Sequence, residues 1–155
     1  MKKILICILS FIVCILNIRA ISSNIDVECP SSSNSFEEVS CKIYINASDF
    51  KLRAVQLKYT FSSGEYISFT SGGNFRTLSS NNNGAVLESS SPKIGKSEIG
   101  TLKFKMPISG KPKNKLTDIM VTDDGNNSNI QSGTINDKNI TVKQKSNINT
   151  LKSLK

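Results

Sequence analysis

Wherever the apolar residues of this chain form a pattern, they recur at every second position and not at the 3.6-residue helical spacing. Val39, Cys41, Ile43 and Ile45 alternate with Ser40, Lys42 and Tyr44. Val55, Leu57, Tyr59 and Phe61 alternate with Gln56, Lys58 and Thr60. Leu102, Phe104 and Met106 alternate with Lys103 and Lys105, and Ile140 and Val142 flank Thr141. Each run buries one face and wets the other, as antiparallel strands do. Shorter candidates are Ile25 to Cys29, Tyr66 to Phe69 after a turn at Ser63-Gly64, and Ala85 to Leu87 after Asn82-Asn83-Gly84. Ile119 to Val121 precedes Asp123-Asp124-Gly125, and Thr134 to Val142 forms a closing strand or hairpin. No segment carries an apolar helical stripe. The expected fold is all-β, a two-sheet antiparallel β-sandwich of eight to nine short strands. Ser31 to Ser35, Ser71 to Asn83 and Ser109 to Asn114 read as loops. Alternation turns Tyr59, Phe61, Phe69 and Phe104 inward and Tyr44 and Tyr66 outward, and leaves Phe75 in a loop.

The two ends differ from this body. Lys2 and Lys3 precede an apolar run from Ile4 to Leu16, and Ile18-Arg19-Ala20 offers a small residue before the polar Ser22-Ser23-Asn24. That order reads as a secretory signal over residues 1–20. The run is too short to span a membrane, which needs about 20 apolar residues, so the mature chain carries no membrane span. Residues 21–143 then make one domain, and 144–155 a linker or the start of a following domain. The implied location is secreted, extracellular or on the cell surface. The formal charge of +8 is misleading, because Ile21 to Val142 holds 13 basic and 12 acidic side chains. A folded surface that near to neutrality argues against a nucleic-acid partner.

Four cysteines become two after cleavage. Cys29 and Cys41 remain as an even count in an oxidising compartment, which suggests a disulfide. The chain has no histidine, so the commonest general base and the usual triads are missing. Glu37-Glu38 is an adjacent acidic pair, but neighbours on a strand point to opposite faces. No catalytic residue and no cofactor is expected. Asp123, Asp124 and Asn126 offer oxygen ligands for calcium without the EF-hand spacing, and a polar turn is the simpler reading. Lys103, Lys105, Lys111, Lys113 and Lys115 would suit acidic glycans or an anionic wall polymer. Equally, they are a solvated edge that discourages strand pairing.

Taken in order, several pieces resemble the cohesin module and the related carbohydrate-binding modules that share its sandwich of jelly-roll type. They are Ile25-Asp26-Val27, the strand Val39 to Ile45, the segment Phe50 to Tyr59, Gly100-Thr101-Leu102-Lys103-Phe104, and Asn136 to Val142. Thr60 stands where the family usually has Asp after the tyrosine. Asn147 to Lys155 resembles the opening of a bacterial cadherin-like β-sandwich repeat. The first resemblance implies a non-catalytic binding module of a bacterial adhesion or polysaccharide-handling system. Its partner would be a polysaccharide or a dockerin-type protein module. The alternative is a passive spacer in a longer surface protein. Sugar stacking would fall to Tyr44, Tyr66 and Phe75, since the chain has no Trp. A protein partner would need a flat patch, on the face of Ser40, Lys42 and Tyr44 or that of Gln56, Lys58 and Thr60.

Overall fold

The computed structural model describes residues 22–108, 113–124 and 132–145, and all its regular elements are β-strands. The stretches read above as an export signal and as the opening of a cadherin-like repeat, together with Lys111 and Asn126, lie outside the described residues. In chain order the strands are β1 (Ser23–Glu28), β2 (Ser32–Ser33), β3 (Glu38–Phe61), β4 (Glu65–Ser71) and β5 (Phe75–Asn81). Then come β6 (Gly84–Lys105), β7 (Asn114–Asp123), β8 (Ser132–Ile135), β9 (Lys138–Ile140) and β10 (Lys143–Gln144).

Strands β3 and β6 are 24 and 22 residues long, and each fuses two of the short strands expected from the sequence. They pair antiparallel from Glu38↔Lys105 to Lys58↔Gly84, with one slip inside the first arm between Ile43 and Tyr44 and two more on either side of Leu52. The two slips around Leu52 mark where this ribbon folds over. Buried positions in β3 run to Ala47, shift to Phe50 and Leu52, and return at Val55. The two shifts cancel, so both arms bury their odd-numbered residues. The facing stretch of β6, Ser90 to Lys96, buries nothing, lacks an N–H at Pro92 and has Gly95 at φ 97°.

One layer of the sandwich is β1, the first arm of β3, the second arm of β6, and β4. The other is β5, the first arm of β6, the second arm of β3, and β7 with β8 and β9. The expected two sheets are thus hydrogen-bonded into one eight-stranded sheet that passes from layer to layer through β3 and β6. Strands β8 and β9 lie along β7 in one register, so they are two pieces of one closing strand, interrupted opposite Asp118 at φ 48°. A small parallel pair, β2 with β10, carries the chain to Gln144, one residue past the expected domain limit.

The core is continuous between the layers. Tyr59 stacks on Tyr66 at 5.7 Å and on Phe69 at 5.8 Å, and Phe61 meets Phe104 at 5.9 Å. These contacts join an arm of one layer to strands of the other. Two aromatic expectations are corrected. Tyr66 does not face outward; it is half-buried against the core because β4 slips in register between Tyr66 and Ser68. Phe75 is not in a loop; it opens β5 and is 9% exposed.

Cys29 stands opposite Cys41 in the register that β1 and β3 already hold, with Cα atoms 4.3 Å apart, and the two are bonded. The bridge closes a loop of 12 residues in sequence separation, which contributes about 3 kcal/mol in the chain-entropy account. Replacing both cysteines by alanine should lower the unfolding free energy by about that amount in urea titration. An unchanged midpoint would refute the stabilising role. Gly100 is needed for a different reason: a Cβ there would stand 2.6 Å from the Thr70 carbonyl oxygen and clash with the Phe69 ring. Gly100→Ala should therefore cost about 2 kcal/mol, measured the same way.

Candidate functional site

Two outward faces remain once the core is subtracted, and they differ in kind. The first belongs to β1, β3 and β6. Lys42 pairs with Glu98 at 3.3 Å, Lys96 with Glu28 at 3.0 Å, and Lys103 with Glu38 at 2.5 Å. Tyr44 lies within this lattice with the Lys96 ammonium 4.3 Å from its ring centroid. Partial desolvation and the nearby Glu28 charge push its phenol up. The hydrogen bond from Lys96 holds the Glu28 carboxyl down. One face of the ring is occupied by a cation, and the charges around it are already satisfied.

The second face spans β5, β6, β3, β7 and β8. Cross-strand pairing lines up Ser79, Val86, Gln56, Met120 and Thr134 in one row. This row is uncharged, and Met120 is 42% exposed. Leu78, 54% exposed, is the extra residue where β5 slips past β6. Beside the row lies an open depression of about 280 Å³, walled by Gln56, Lys58, Ser79, Asn81 and Val86. Charges flank it on two sides. On one, Glu88 accepts from Arg76 at 2.5 Å and from Arg53 at 3.1 Å, while Arg53 also reaches Asp124 at 3.0 Å. On the other, Lys58 meets Asp118 at 2.8 Å. Five strands at ~4.8 Å spacing make a surface about 20 Å wide. An uncharged middle and a charged rim holding Arg is the anatomy of a protein interface.

The described residues among those proposed from the sequence now have places. Tyr44 is half-buried on the first face, Tyr66 is half-buried against the core rings of Tyr59 and Phe61, and Phe75 is buried at the start of β5. The three do not form a row of rings. Asp123 and Asp124 are engaged already: Asp123 accepts from the Lys51 N–H at 3.2 Å, and Asp124 binds Arg53. Among the described residues no three acidic or cysteine side chains gather as metal ligands. Gln56 and Lys58 do fall on the second face, as alternation had them. Met120 and Val86 were missed. Both break the polar-outward rule in their strands, and that breach was the available signal.

No family model matches the chain, and no curated protein matches it. Among solved structures the chain is similar to the cohesin module of a family 33 glycoside hydrolase from Clostridium perfringens ATCC13124. The identity is 11% and the TM-score 0.61, over 81% of this chain and 100% of that one. It is also similar to a non-cellulosomal cohesin from the hyperthermophilic archaeon Archaeoglobus fulgidus, at 16% identity and TM-score 0.52, over 77% and 91%. A chain of a CaDoc0917–CaCohA2 complex matches at 13% identity and TM-score 0.52, over 74% and 99%. The fold is therefore cohesin-like.

Within the Arg76–Glu88–Arg53 cluster the carboxyl of Glu88 titrates. Hydrogen bonds from Arg76, then Arg53, hold the Glu88 carboxyl below its ordinary value of 4.5. A carboxyl lowered on folding stabilises fully above the unfolded-state value, and that contribution fades as pH falls through the lower folded-state value. Wild-type thermal stability should accordingly drop more steeply below pH 4.5 than that of Glu88→Gln. Parallel acid profiles for the two proteins would refute this.

Proposed function

We propose that this chain is an exported, non-catalytic docking module of cohesin type, which receives a dockerin-type protein partner on the face of β5, β6, β3, β7 and β8. The observation that carries the reading is the uncharged row Ser79, Val86, Gln56, Met120 and Thr134 between two charged borders. The cohesin-like fold supports it, as does similarity to a chain seen within a CaDoc–CaCohA2 complex. The export signal over residues 1–20 and the single domain over 21–143 belong to the same reading. Polysaccharide is the less favoured partner, because Tyr66 stacks on Tyr59, Phe75 is buried, and Lys96 lies over the Tyr44 ring.

The test is capture from secreted and wall fractions by the immobilised chain from Ile21 onward, with protein and sugar both analysed. Met120→Arg puts a charge in the middle of the row and should weaken protein capture by about tenfold or more, the scale of a central contact. Tyr44→Ala should leave it unchanged. Loss with Tyr44→Ala alone would move the site to the other face, and recovery of glycan would restore the carbohydrate reading. Capture of neither leaves a spacer.

A further inference from the structure

The hairpin between β5 and β6 turns on Asn82 and Asn83, with Asn81 paired to Gly84. Of the asparagines in this chain, Asn83 alone is followed by glycine. That glycine does not serve a left-handed backbone, because its φ is not positive. It serves a close approach. A Cβ at position 84 would stand 2.5 Å from the Leu57 carbonyl oxygen and 3.2 Å from the Lys58 Cα. Strand β3 therefore excludes a side chain here, and the Asn83–Gly84 pair is a consequence of packing.

The same packing fixes the main chain of Asn83 and leaves its side chain in solvent. The Asn83 N–H donates to Asn81 Oδ1 at 2.8 Å, and its carbonyl accepts from the Tyr59 N–H at 2.9 Å. The side chains of Asn82 and Asn83 are exposed. Gly84, with no Cβ, leaves its nitrogen open to the carboxamide that precedes it. One group opposes that approach. The Gly84 N–H donates to Asn81 Oδ1 at 3.1 Å, so a single carboxamide oxygen holds both N–H groups of the turn.

From this juxtaposition we propose that Asn83 is a site of spontaneous deamidation in the folded protein, and that Asn81 is the brake on it. The Gly84 nitrogen sheds its proton to solvent and attacks the side-chain carbonyl carbon of Asn83. The new C–N bond closes a succinimide ring, and the side-chain nitrogen takes up a proton and leaves as ammonia. Water then opens the ring at either carbonyl, giving aspartate or isoaspartate, whose carboxyl proton goes to solvent. The first step removes the proton that Asn81 Oδ1 holds, which is why that hydrogen bond slows it. Asn81, Asn83 and Lys58 all line the depression on the face of β5, β6, β3, β7 and β8, so the product adds a negative charge to its wall. Any effect of that charge on docking rests on the partner reading above; the chemistry does not.

The experiment is incubation of the chain from Ile21 onward, which contains every described strand, at mildly alkaline pH, followed by peptide mass spectrometry. The peptide carrying Asn83 should gain one mass unit, with part of the product as isoaspartate, and the rate should rise with pH. Asn82 is the internal control, being equally exposed in the same turn but followed by asparagine, and it should stay unmodified. Asn83→Gln should abolish the gain. Asn81→Ala removes the acceptor and should raise the rate about fivefold, the scale of one hydrogen bond. Asn81→Asp keeps an acceptor at that position and should retain the slow rate. An Asn83 that stays intact in the folded chain, while the chain in urea converts, would overturn the site. Equal conversion of Asn82 and Asn83 would also overturn it. A wild-type rate in Asn81→Ala would overturn the brake and leave Asn81 a turn residue only.

Discussion

The antiparallel register between β3 and β6 governs the rest of this molecule. The two strands supply both layers, so a one-residue change in their pairing would turn the buried set of each arm to the solvent. The register holds at Val39↔Phe104 in one arm and at Val55↔Leu87 in the other. Between them the ribbon must bend, and the chain provides a stretch that demands no burial. Ser90-Ser91-Pro92 and Gly95 weaken the pairing there, while Phe50 and Leu52 keep the concave side filled. The slips that look like defects are what allow a flat ribbon to enclose its own apolar side.

Once the ribbon is folded, the remaining strands have their places determined by what they complete. Strand β1 extends one layer and is tied by Cys29–Cys41 at a position its own register had brought together. Strand β4 follows a three-residue turn at Ser62-Ser63-Gly64, with Gly64 at φ 99°, and carries Tyr66 and Phe69 under Tyr59. That turn transfers the chain from one layer to the other. The aromatic cluster beneath it links the two layers beside their shared strands.

Alternation was legible in the sequence where a strand buries one face and wets the other. The halves of β3 and the end of β6 are of that kind, and Tyr59, Phe69 and Phe104 took their expected inward places. It was illegible in β5, where Phe75 is buried and Arg76 to Asn81 are all exposed. An edge strand with so little inward side has no period to read. The long strands were hidden for a related reason. Their middle segments are extended without being amphipathic, so each appeared as two strands and a gap. Tyr66 was misplaced because alternation presumes an unbroken register, and β4 slips one residue further on. On the candidate face Gln56 and Lys58 were visible as outward positions. The uncharged row was not, because it runs across five strands and no stretch of sequence contains it.

The acid–base character of the described surface bears on what such a module can do. Glu28, Glu37 and Glu88 are all displaced downward, and in each case the largest cause is a hydrogen-bond donor that favours the charged form. A general acid at neutral pH needs the opposite, a carboxyl pushed upward by an apolar pocket or a like charge. Among the described residues the one group displaced far upward is the Tyr59 phenol, where burial in the aromatic cluster keeps it protonated. The carboxylates thus act as fixed anchors for Lys96, for the turn at Asn34, and for Arg53 and Arg76. Anchored charge defines borders and leaves the ground between them uncharged, which is the feature on which the proposed docking face rests.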